Sequence, residues 1–188
     1  VFGVPVNMVT PLIRRHAKAV NFGIVYGISE FSLAQDIGVS RREAKEYIDS
    51  YLARFAGVRA YMHDIVQTAR TQGYVETIFH RRRYIPEIKS SNFNVRSGAE
   101  RIALNTPVQG SAADIIKLAM VRVRDALRDE GLQARLVLQV HDELIVECPA
   151  FEALRVMQIV TEQMQDAVKL EVPLVAEAKM GESWFDAK

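Results

Sequence analysis

Late in the chain the spacing of apolar residues changes from a helical rhythm to an alternating one. Leu12, Ala19, Val20, Ile24 and Val25 recur at roughly helical intervals, which predicts a helix from Thr10-Pro11 to a stop at Gly27. Thr10 suits the N-cap and Pro11 the first turn, where a missing N–H costs nothing. Shorter helices are predicted over Glu30–Ile37 behind Ser29, over 41–55 behind Ser40, and over 58–72 ending at Gly73. "GYVETIF" alternates and reads as a short strand. The stretch "HRRRYIPEIKSSNFNVRSG" reads as loop, because Pro86 bars a continuous helix. A long helical pattern then runs from about 99 to 130, with Pro107 and Gly110 marking a kink or break and Gly131 the end. After it, "ARLVLQV" and "ELIVEC" flank "HD" as the two arms of a β-hairpin with a tight turn. Residues 151–168 form another amphipathic helix, and "VPLVAEAKM" reads as a last strand. The class is α+β: a helical first half, then antiparallel sheet.

Composition narrows the function classes. The 188 residues suffice for one domain or two small ones, and 49% hydrophobic content supports a real core. Charge is nearly balanced, 24 Lys+Arg against 23 Asp+Glu, so clustering carries more meaning than the sum. Basic residues do cluster, at Arg14 and Arg15, at Arg41 and Arg42, and at Arg81, Arg82 and Arg83. Cys148 is the one cysteine, which excludes an internal disulfide and a Cys-based metal site and fits a reducing, intracellular setting. No apolar run is long enough for a membrane span, and the start lacks the basic residues of a signal peptide. The opening "VFGVP" has no initiator Met, which suggests a piece of a longer protein.

The first helix carries an unusual sequence of chemistries. Arg14, Lys18, Phe22 and Tyr26 are spaced by four, so they form one slowly turning stripe about 18 Å long. The stripe is cationic at one end and aromatic at the other, and the positive helix N-terminus reinforces its first part. A nucleoside triphosphate has the matching polarity, phosphates at one end and a flat base at the other. The alternative is a solvated basic start followed by buried aromatics.

Arg14, Lys18, Phe22, Gly23, Tyr26 and Gly27 fit R-x-x-x-K-x-x-x-F-G-x-x-Y-G, and this stretch resembles the nucleotide-binding helix of family A DNA polymerases. "GYVETIFHRRRYIP", "ERIALNTPVQGSAADIIKLAM" and "LQVHDELIVE" resemble the same family, in the same order, so the resemblance covers essentially the whole chain. It implies a fingers subdomain over 1–98, with the nucleotide helix at about 10–27. It implies the C-terminal part of a palm over 99–188, with a catalytic hairpin at about 135–148. The implied activity is template-directed DNA synthesis on a primer–template from deoxynucleoside triphosphates, in the cytoplasm beside the nucleoid.

Site residues follow from the same resemblance. Arg14 and Lys18 contact the triphosphate, and Lys18 is also assigned a catalytic part. Phe22 packs against sugar and base; a Phe there is associated with discrimination against dideoxynucleotides. Tyr26 stacks near the templating position. Arg15 either supports them or makes a surface salt bridge. Asp142, with Glu143 beside it, is the catalytic acid that binds Mg²⁺, two ions being required, and oxygen ligands suit that hard cation. Because successive strand residues face opposite ways, Glu143 is the less direct of the two. His141 lies near the primer end. Arg101, Asn105 and Gln109 resemble residues that touch the minor groove, whose shared acceptors let donors sense pairing without reading sequence. Helix capping or buried hydrogen bonding near Pro107 is the alternative for Asn105 and Gln109. Arg81, Arg82 and Arg83, with Tyr84, face the template strand or are solvated surface. Arg41 and Arg42 read as an ordinary helix start.

The family's other metal-binding aspartate lies in an earlier palm strand, and no segment here resembles it. The chain is therefore expected to be inactive alone and to need an N-terminal polymerase portion, in the same molecule or on another chain. The alternative is a nucleic-acid- and nucleotide-binding fragment without chemistry.

Overall fold

The computed structural model describes residues 2–187, so Val1 and Lys188, the outer ends of the two expected regions, lie outside it. The chain divides into two compact units, one running to Gly110 and the other starting at Ser111. Both helices and two small antiparallel sheets are present, an α+β fold.

Four helices begin the first unit: α1 (Pro11–Val25), α2 (Glu30–Ile37), α3 (Arg41–Arg54) and α4 (Ala56–Gln72). Their starts are set locally. Thr10, Ser29 and Ser40 each accept a backbone N–H of the following first turn, and Ser40 with Glu43 forms a reciprocal capping box. Val20 and Ile24 of α1, Leu33 and Ile37 of α2, and Ala44 and Tyr51 of α3 form one buried cluster. Burying each large aliphatic side chain contributes about 2 kcal/mol.

A second cluster joins Ala69 of α4 to Val75, Ile85, Ile88, Ala99 and Ala103. Here the expected loop over 80–98 is corrected. It contains β2 (Arg82–Tyr84), a 3-10 turn (Pro86–Lys89) and the start of α5 (Phe93–Asp129). The strand forms because β1 (Tyr74–Glu76) offers it a partner, with Tyr74 opposite Tyr84 and Glu76 opposite Arg82. The helix starts early because Asn92 Oδ1 accepts the N–H groups of Asn94 and Val95. Pro107 does not break α5, although it removes the bond to the carbonyl four residues back.

In the second unit, β3 (Arg135–Val140) and β4 (Glu143–Glu147) form the expected hairpin, with an irregularity between Leu136 and Leu138. The hairpin's apolar residues and α6 (Ala153–Gln165) pack around Val123, Leu127, Ala134, Val156 and Ile159. The expected last strand over 172–180 is not one. Leu174, Ala176 and Ala178 are half-buried and their neighbours exposed, so the alternation is real. No described strand pairs with this segment, and a strand is defined by its ladder. Among the described residues no helix is long and apolar enough to cross a membrane.

Candidate functional site

Helix α1 turns Val20 and Ile24 into the core, which forces Arg14, Lys18 and Phe22 outward. Among the described residues Arg14, Arg15 and Lys18 carry no side-chain hydrogen bond or ion pair. No acidic residue occupies the first turn of α1, so the positive helix end is not neutralised within that turn. Farther along, Phe22 is 54% exposed and Tyr26 half-buried, their rings stacked at 6.4 Å and 21°. The stripe is thus an open ridge, and the aromatics are not buried as the alternative required.

Two contacts fix the ridge. Tyr51 Oη donates to Asn21 Oδ1 at 2.6 Å, tying α1 to α3 beside Phe22. Gly27 has φ 74°, and a Cβ there would lie 2.9 Å from Leu104 Cδ1 and 3.3 Å from Arg101 Cγ. Only glycine lets the chain turn in this conformation so close to α5. The aromatic end of the ridge therefore meets the helix that carries Arg101, Asn105 and Gln109. Arg101 and Gln109 are exposed, while Asn105 is half-buried with a buried Oδ1 that has no hydrogen-bond partner.

The three arginines of β1–β2 behave otherwise. Arg81 Nη2 donates to the Gly110 carbonyl at 3.1 Å, and Arg83 Nη1 lies 3.4 Å from Thr106 Oγ1. Arg82 Nε donates to Glu76 Oε1 at 2.7 Å, and its guanidinium lies 4.6 Å from the centre of the Tyr74 ring. That hydrogen bond holds the Glu76 carboxyl below its ordinary range, with a smaller contribution from His80. Tyr84 is 68% exposed. Arg41 pairs with Glu30 at 2.6 Å and Arg42 with Glu46 at 3.6 Å, as helix-start residues do.

In the second unit His141, Asp142 and Glu143 share the turn of the β3–β4 hairpin. The unusual backbone angle belongs to His141, at φ 53°, and not to Asp142. Gln139 Nε2 donates to the His141 carbonyl at 2.5 Å and steadies the turn. Among the described residues the Asp142 carboxylate has no partner, whereas Glu143 Oε2 accepts from Trp184 Nε1 at 3.3 Å. At the other end of the hairpin the buried Glu152 accepts the backbone N–H groups of Gln133 and Ala134, each at 3.1 Å.

Carboxylate oxygens at an exposed turn suit a hard cation, and Asp142 is free to bind one. Among the described residues no group of three or more His, Cys, Asp or Glu side chains is placed to hold a metal ion, so the donor set here is partial. Sequence reasoning missed Tyr51, Glu152 and Trp184. Their partners lie 30, 19 or 18, and 41 residues away, and no local pattern signals such contacts.

The sequence profile of DNA polymerase family A matches residues 1–186. The chain is 57% identical to DNA polymerase I of Bacillus caldotenax and 56% identical to that of Bacillus subtilis (strain 168), each over 188 residues, all of this chain. It spans about a fifth of those proteins, 21% of each. Among solved structures it is similar to the POL domain of Pol1 from M. smegmatis in complex with DNA primer-template and dNTP. The TM-score is 0.95 at 49% identity, covering 99% of this chain and 33% of that one.

Proposed function

The chain belongs to DNA polymerase family A, and on that premise we propose that it serves template-directed DNA synthesis as one portion of a larger polymerase. The reaction is transfer of a nucleotidyl group from a deoxynucleoside triphosphate to a primer 3′-OH. The primer 3′-OH gives up its proton to solvent as its oxygen bonds to the α-phosphorus, the bond from that phosphorus to the bridging oxygen breaks, and pyrophosphate leaves. The observation that carries this reading is the ridge of Arg14, Lys18, Phe22 and Tyr26, whose two cations have no partner among the described residues and whose two rings stack. The similar M. smegmatis domain is in complex with DNA primer-template and dNTP, which supports the same ligand class here.

Each side chain then has a physical task. Arg14 forks onto phosphate oxygens, and Lys18 neutralises charge that gathers on the departing pyrophosphate. Phe22 supports the sugar and base, and Tyr26 stacks at the templating position. Arg101, Asn105 and Gln109 read the minor groove, whose shared acceptors suit their N–H donors. His141 stands at the primer end. Arg81, Arg82 and Arg83 attract template phosphates with whatever N–H capacity their internal bonds leave. Asp142, with Glu143 as the neighbouring acid, would hold Mg²⁺, and carboxylates outside this chain would complete a site for two ions. Bound there, Mg²⁺ supplies charge stabilisation to the attacking and leaving oxygens.

The partial donor set favours a second reading as well, a nucleotide- and DNA-binding portion that performs no chemistry. Primer extension by the polymerase completed with its remaining portion separates the two. Asp142→Ala is expected to lower synthesis on the order of a thousandfold while dNTP binding is largely kept. Unchanged synthesis would remove Asp142 from the chemistry.

A further inference from the structure

The last residues of the chain form a built turn. Asp186 and Ala187 donate their backbone N–H groups to the Ser183 carbonyl at 3.0 and 3.1 Å. Ser183 Oγ donates to Asp186 Oδ2 at 2.5 Å. The backbone folds back so closely that a Cβ on Gly181 would sit 2.8 Å from Ala187 N. Glycine is required at that close approach. This turn carries Trp184, the one tryptophan of the sequence, and brings its indole N–H to Glu143 Oε2.

Of the two acids at the hairpin turn, one is thus held and the other has no partner among the described residues. Glu143 is exposed and has three rotatable bonds, so unheld it would sample many positions. A hydrogen bond from an indole carried on a separate, tightly closed turn restricts that freedom. Asp142 needs no such support, because its shorter side chain follows the backbone turn set by His141 and Gln139.

We propose that Trp184 is a positioning residue for the acidic turn, holding the Glu143 carboxylate in place while Asp142 remains free to meet a divalent cation. This rests on the polymerase reading of the turn. Partners that orient the groups around a cation change its affinity without touching it.

The contact is tested first, with neither metal, nucleotide nor DNA present. In ¹⁵N-labelled chain the Trp184 indole N–H resonance is identified by its loss in Trp184→Phe, which keeps an aromatic ring. In Glu143→Ala that resonance is expected to move upfield and its hydrogen to exchange faster with water; an unmoved resonance overturns the proposal. In the completed polymerase, Trp184→Phe is expected to raise the Mg²⁺ concentration for half-maximal primer extension about tenfold. The KM for dNTP at saturating Mg²⁺ should stay unchanged. An unaltered Mg²⁺ requirement, or an equal loss at every Mg²⁺ concentration, overturns the positioning role and leaves the polymerase reading standing. Unchanged synthesis in Asp142→Ala strikes the polymerase reading itself, whatever the indole resonance does.

Discussion

The two hairpins of this chain are built alike and use their charges differently. Both are two-stranded and antiparallel, and both place a histidine in the left-handed region, His80 at φ 61° and His141 at φ 53°. In β1–β2 the charged groups are largely engaged by their own surroundings. Arg82 holds Glu76, Arg81 reaches the Gly110 carbonyl, and His80 Nδ1 lies 3.4 Å from Glu76. In β3–β4 the bracing comes from outside the turn, through Glu152 at one end and Trp184 at the other, and among the described residues Asp142 has no partner. A charge that the fold already engages stabilises the fold. One the fold leaves exposed and unpaired is available to a ligand, and the ridge of α1 follows the second pattern.

Removing the brace that most supports the second hairpin should have the largest effect on stability. Glu152→Ala leaves the buried N–H of Ala134 and the part-buried one of Gln133 without their acceptor, a loss of about 2 kcal/mol. Chemical denaturation should show it as a lower midpoint with little change in slope. An unshifted midpoint would mean that the hairpin does not depend on this carboxylate.

Arg82→Ala should do less. It removes an exposed ion pair and a contact with the Tyr74 ring, so the melting temperature should fall slightly and dNTP affinity stay as it was. A loss of dNTP affinity without loss of stability would place Arg82 among the nucleotide-binding residues and break the contrast.

The smallest effect is one of pH. Glu76 has its carboxyl depressed from an ordinary value of 4.5, chiefly by the hydrogen bond from Arg82. A depressed carboxyl binds protons more readily unfolded than folded, so its stabilisation is complete above about pH 4.5 and fades as pH falls through the lower folded value. Wild type and Glu76→Gln should therefore differ slightly in melting temperature at neutral pH and converge in acid. A constant difference would show that the pair does not titrate with folding.

Local chemistry made much of this fold legible. Thr10, Ser29 and Ser40 cap their helices through bonds to residues three positions on, and such signals sit entirely within a short window. The β3–β4 hairpin was legible for the same reason, two alternating runs around a short turn. What required a distant partner was not. β2 exists because β1 pairs with it, and the alternation over 172–180 has no ladder among the described residues. In the site, the ridge was readable as a period of four along one helix. The internal commitments of Arg81 and Arg82 were not, because an arginine run looks the same whether its partners are protein or phosphate.

The central claim is that the unpaired cations of α1 bind the triphosphate. Equilibrium dNTP binding to the completed polymerase on a primer–template, compared between wild type and Lys18→Ala, tests it most directly. The account predicts affinity for dNTP weakened roughly 10- to 100-fold, the scale of a charge-assisted hydrogen bond, with primer–template affinity nearly unchanged. An unaltered dNTP affinity, or an equal loss for DNA and nucleotide, would contradict it.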